Sequence, residues 1–188
     1  MTMSCASAPI AEYFLDPIGS PHPECGPKDH MVGVGRSKIG KADAEHAARE
    51  DLIRKVSSSI QIETKRVVAI AVAAGVANAH RTFDSTAIER TEFTHGELIR
   101  VLGAPSEHKG ETFVLVCMDR GEASAVLQKD LSEPLTAFTA AHDHAMAAFV
   151  SGNHAAFTTA YIEAAHVAPA LLQGFAEVSA VGGATRGG

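Results

Sequence analysis

The chain has 188 residues, 46% of them hydrophobic, and a formal net charge of −6. That length suits one domain with a core of its own, and that apolar share excludes global disorder. An acidic balance excludes a general nucleic-acid binder, which needs a basic face to displace counterions from phosphates.

Residues 1–29 carry Pro9, Pro17, Pro21, Pro23 and Pro27, and read as a flexible, irregular lead-in. Met31-Val-Gly-Val-Gly35 is a short strand, and Arg36 to Lys41 a loop into a helix. From Lys41 to Val56 the residues Ala44, Ala47, Ala48, Leu52 and Val56 make one apolar helical face. Opposite them Glu45–Arg49, Glu50–Arg54 and Asp51–Lys55 are acid-before-base pairs four apart, expected to face solvent as ion pairs. In Ser57 to Thr64, Ile60 and Ile62 alternate with polar residues, which predicts a strand. Val67 to His80 is ambiguous; the reading favours continued strand, then helix or irregular chain from about Ala73 to Arg90.

Glu97 to Leu102 and Thr112 to Met118 are predicted strands joined by the polar turn Pro105 to Gly110, hence an antiparallel hairpin. The chain turns helical after Arg120 and restarts at Ser132 with Pro134 in the first turn. Phe138, Ala141, Ala145 and Phe149 form the next apolar stripe. Gly152-Asn153 marks a turn, and a further helix carries Phe157, Tyr161, Ala164 and Ala168, with Pro169 expected to kink or end it. The expected architecture is α+β. A small mixed or antiparallel sheet with a packed helix fills residues 30–131, a helical hairpin 132–176 and a flexible tail 177–188.

Catalytic signatures do not emerge. Gly33-Val-Gly35-Arg-Ser-Lys-Ile-Gly40 has its third glycine two residues late for a dinucleotide loop, and no P-loop Gly-Lys-Ser/Thr is present. The alternative is that these small residues permit close backbone packing. No Gly-x-Ser-x-Gly elbow occurs. His142, Asp143, His144, His154 and His166 could supply metal ligands across the helical hairpin, but no His-Glu-x-x-His spacing supports them. Three cysteines at wide spacing indicate neither a disulfide framework nor a zinc motif. Cys117, within an apolar run, reads as a small buried hydrophobe. Cys5, preceded by Ser4 and followed by Ala-Ser-Ala-Pro9, looks like a lipidated cysteine with its tether, or else it pairs with Cys25, or belongs to an ordinary N-terminus. No stretch has the length of a membrane span.

Val32-Gly-Val-Gly35, a polar loop, Ala42-x-Ala44-x-x-Ala47-Ala48 and Leu52-Ile53-x-x-Val56-Ser57-Ser58, with the later Gly110-x-x-Phe113-Val-Leu-Val-x-x-Asp119-Arg120 and Ala123, resemble the LPP-twenty lipoprotein family of bacteria. The resemblance covers about Val32 to Leu131. It implies a non-enzymatic cell-envelope protein, attached to a membrane only through lipid at Cys5, with no cofactor and with a structural or protein-binding role. The C-terminal Gly152-Asn153-His154, Tyr161, Ala164 and Pro169 resemble one tetratricopeptide-type helix pair. A protein partner in the envelope is the expectation, with homo-oligomerisation a further option. The rival readings are a small-molecule-binding module and a histidine-assisted metal-binding protein. A cytoplasmic location follows if Met1 is the true start.

Overall fold

The computed structural model describes residues 10–73, 93 and 95–182. Three strands, β1 (His30–Ser37), β2 (Arg100–His108) and β3 (Glu111–Asp119), form one antiparallel sheet in the order β1-β3-β2. The helices are α1 (Lys41–Ala73), α2 (Arg120–Asp130), α3 (Ser132–Val150) and α4 (His154–Gly182). The fold class is α+β, as the sequence predicts.

Two compact units divide the chain: residues 1–58, 92–123 and 184–188 in the first, and 59–91 and 124–183 in the second. In the first unit β3 is central and is buried from Phe113 to Met118. A strand covered on both faces reads as an unbroken apolar run, which is why this was the clearest strand in the sequence. On β1, Met31, Gly33, Gly35 and Ser37 are buried, in strict alternation. The glycines are there because the helix lies directly on them. A Cβ at Gly35 would run into the Ala44 carbonyl oxygen and the Ala48 amide, and one at Gly33 into the Ala48 carbonyl and Leu52. The glycine pattern is therefore a packing seat and not a phosphate loop.

The helix that sits on it is longer than the sequence predicted. Ser57 to Thr64 is not a strand, and Val67 to Ala73 does not continue one; both belong to α1. Ala44, Ala48, Leu52, Val56, Ile60 and Thr64 are all buried at an unbroken spacing of four, while Ile62 is 64% exposed. Ile60 thus belongs to the helical stripe, and its alternation with Ile62 is accidental. The expected element from Ala73 to Arg90 lies almost wholly outside the described residues.

The second hairpin also departs from expectation. Gly96–Leu98 is a 3-10 turn, and β2 begins at Arg100. It runs to His108, so the turn is only Lys109-Gly110, both at positive φ. Two such residues match the twist of the flanking strands. Between Leu102 and Ser106 the register shifts, and Gly103 at φ 62 and Pro105 occupy the bulge on this edge strand, where a missing N–H costs no ladder bond.

Residues 10–29, read as a flexible lead-in, are in part a packed layer. Glu12–Phe14 is a 3-10 turn, and buried Phe14 joins Phe113 and Leu115 in a cluster with Ile10, Tyr13, Val32, Val34 and Leu102. The sheet therefore has α1 on one face and this segment on the other.

In the second unit α3 and α4 pack as an antiparallel hairpin around Ala145, Ala148 and Ala160. Asn153 Oδ1 accepts the Ala156 N–H at the start of α4. Pro169 lies inside α4 and does not end it, and the helix continues to Gly182 with Ala180 and Val181 buried. Residues 177–182, placed by the sequence in the tail, therefore belong to α4. A side chain at Gly174 would overlap Leu131, so this glycine is a second packing seat.

Candidate functional sites

Three features could carry function: a sulfur–histidine cluster, a groove beside β1, and the outer face of the hairpin.

Cys25 is bonded to Cys117 across 92 residues of sequence. This rules against the Cys5–Cys25 alternative and adds a bond to Cys117, which is buried as the sequence predicts; Cys5 lies outside the described residues. The pairing follows from topology. Cys25 lies five residues ahead of β1, Cys117 is near the end of β3, and antiparallel pairing of His30 with Asp119 brings those ends together. His30 completes the cluster, with its ligand atom and both sulfurs within 4.8 Å of one another. Its Nδ1 lies 3.3 Å from the Gly26 carbonyl, and Nε2 lies 3.6 Å from Asp119 Oδ2. Asp119 also caps α2, its Oδ1 accepting the Glu122 N–H at 2.8 Å. Both cysteines are essentially inaccessible. While the bond stands, neither sulfur is a thiolate, so the set can neither ligate a metal nor act as a nucleophile. The cluster is a staple that fixes the lead-in on the central strand.

The charged side of α1 does more than face solvent. Glu45–Arg49 and Asp51–Lys55 form as expected, but Arg54 pairs with Asp51, and Glu50 pairs with His46. Arg49 donates to the Ile99 carbonyl at 3.0 Å. Asp51 accepts the Val34 N–H, and Lys55 donates to the Val32 carbonyl. These bonds cap two outward polar groups of edge strand β1, the kind that would otherwise invite pairing by another chain. Partial burial pushes the Asp51 carboxyl upward, but hydrogen bonds from Lys55 and Val34, the Lys55 charge and Arg54 outweigh it and hold it below its ordinary value. Beside these residues lies an open groove of about 610 Å³, lined by Val34, Gly35, Arg36, Glu50, Ile53 and Arg54 among others.

The hairpin leaves large apolar side chains in water. Leu135, Met146, Phe149, Val150, Tyr161, Ile162 and Phe175 are all exposed. Of the predicted α3 stripe, Ala145 is buried and Phe149 is 64% exposed. Phe149 contacts Phe157 at 5.8 Å, and Phe157 contacts Tyr161 at 5.9 Å, a row of rings across the helix–helix turn.

The five residues considered for a metal do not come together. His142, Asp143, His144, His154 and His166 are all exposed, and His142 faces its own neighbour Asp143 at 3.4 Å. Among the described residues, Cys25, His30 and Cys117 are the one group with metal-ligand geometry. No helix among the described residues is long and apolar enough to cross a membrane.

No family model, no curated protein and no solved structure matches this chain.

Proposed function

We propose that this protein is a non-enzymatic, protein-binding component of the bacterial cell envelope that engages its partner through the α3–α4 hairpin. The observation that carries the reading is the aromatic row of exposed Phe149, half-buried Phe157 and exposed Tyr161 on a helix pair with few charges. Apolar surface of this kind is what protein interfaces bury. The Cys25–Cys117 bond supports the envelope, since disulfides form and persist in oxidising compartments. The LPP-twenty resemblance over Val32 to Leu131 agrees with both.

A photo-crosslinking amino acid at position 161 in the native host tests the binding role. Discrete adducts are expected from position 161 and none from exposed Glu12. Absence of adducts at 161 overturns it. Fractionation and intact mass test the location: acylation at Cys5 with membrane recovery supports a lipoprotein, and a reduced, cytosolic protein sinks the envelope reading. The groove beside β1 favours a second reading, small-molecule binding, because its volume falls in the range of ligand pockets, roughly 300–1,000 Å³. A ligand screen by thermal shift, repeated with Arg36→Ala, distinguishes it.

A further inference from the structure

We propose that the partner on this face is a second copy of the chain, two α3–α4 hairpins closing into a four-helix bundle about a two-fold axis. This rests on the protein-binding reading above and names its partner.

With 3.6 residues per turn, Leu135, Phe138, His142, Met146 and Phe149 fall within about 80° of arc on α3. Phe157, Tyr161, Ala164, Ala168, Leu172 and Phe175 fall within about the same arc on α4. The Phe149–Phe157 contact joins the two stripes into one surface. The seam between the helices, at Ala145, Ala148 and Ala160, is to one side of both stripes, so the surface is not the contact the hairpin makes with itself.

Its size suits a dimer. Leu135, Met146, Phe149, Tyr161 and Phe175 are between 44% and 64% exposed. At roughly 200 Å² for each fully exposed large side chain, these five present about 500 Å² of apolar surface. A standard interface buries about 800 Å² per partner, and in homodimers about 65% of it is apolar. The five residues alone meet that requirement.

Its charge suits a like partner. Residues 132–182 contain no Lys or Arg and only four acids, Glu133, Asp143, Glu163 and Glu177. By helical angle all four fall outside the stripes. A two-fold interface sets a patch against itself, so any fixed charge in it meets its own sign. This surface contains no carboxylate and no Lys or Arg, so no permanently charged side chain opposes its own copy. Ala164 and Ala168, between Tyr161 and Phe175, leave room for close approach of a facing helix.

Sedimentation equilibrium of the full, disulfide-intact chain tests this. The expected mass is twice the 19.6 kDa of one chain. Phe149→Glu with Tyr161→Glu should weaken association at least about 100-fold, or about 2.7 kcal/mol. Helical ellipticity and the disulfide should be unchanged. Ile162→Glu, exposed but off the stripe, should leave the dimer intact. A monomer at about 100 µM, weaker than any useful self-association, overturns the proposal. So does a double variant that associates as tightly as the parent, or equal disruption by Ile162→Glu. Crosslinks from position 161 to a different protein, with a monomeric chain, sink the dimer and leave the binding role standing; no crosslinks at all sink both.

Discussion

In β3 six consecutive residues, Phe113 to Met118, are buried, whereas nineteen-residue α3 buries only Ala145 and Ala148. Both segments are apolar in sequence. The strand is covered by α1 on one side and by residues 10–14 on the other, so its apolar side chains are used within the chain. The hairpin spends its smallest residues on its own seam and leaves its largest in solvent. An apolar stripe thus identifies a surface that needs covering, and only the packing around it shows whether the chain itself supplies the cover.

Perturbations of the two regions should therefore differ sharply. The largest effect is expected from Cys25→Ser, which releases a closure of 92 residues and should cost about 4–5 kcal/mol in denaturant unfolding. A loss below about 1 kcal/mol would mean that the lead-in is not held by the bond. Leu52→Ala, at a fully buried position under the sheet, should cost about 3 kcal/mol. Gly35→Ala should cost about 2–3 kcal/mol, because the new methyl meets helix backbone and not a yielding side chain. An unchanged midpoint would separate helix from strand at that point.

Smaller effects follow on the surfaces. Because the Asp51 carboxyl is held low when folded, it stabilises the fold above its unfolded value near 3.8. That contribution is lost as pH falls through the lowered folded value. Asp51→Asn should flatten the acid limb of stability below about pH 4, by less than about 1 kcal/mol because its partners Arg54 and Lys55 are exposed to solvent, which screens the pairs. The smallest effect on folding is expected from Tyr161→Ala, within about 0.5 kcal/mol when measured on the monomeric form. A loss as large as that of Leu52→Ala would show that Tyr161 belongs to the internal core and erase the contrast.

The fold was legible where one physical signal dominated. The apolar run of β3, the alanine stripe opening α1 and the Gly152-Asn153 turn each had one reading. The second half of α1 did not, because Ile60 and Ile62 satisfy strand alternation locally, and only Ile60's place four residues after Val56 joins it to the helix. Pro169, expected to kink or end its helix, does not end it: a proline removes one helical hydrogen bond, and flanking turns on both sides can carry the helix through it. The sulfur cluster was hidden for another reason. Spacing along the chain could not pair Cys25 with Cys117, whereas the register of β1 on β3 does. Among the described residues the histidine that joins a metal-ligand cluster is His30, outside the His142–His166 group that the sequence suggested.

The Cys25–Cys117 bond also orders events during biosynthesis. At about 5–20 residues per second, Cys117 emerges roughly 5–20 s after Cys25. Throughout that interval Cys25 is an unpaired thiol, open to earlier partners such as Cys5. Acylation of Cys5 would remove that competitor before the correct partner arrives. On the lipoprotein reading proposed above, the anchor at Cys5 would then keep Cys25 free for the strand it belongs to.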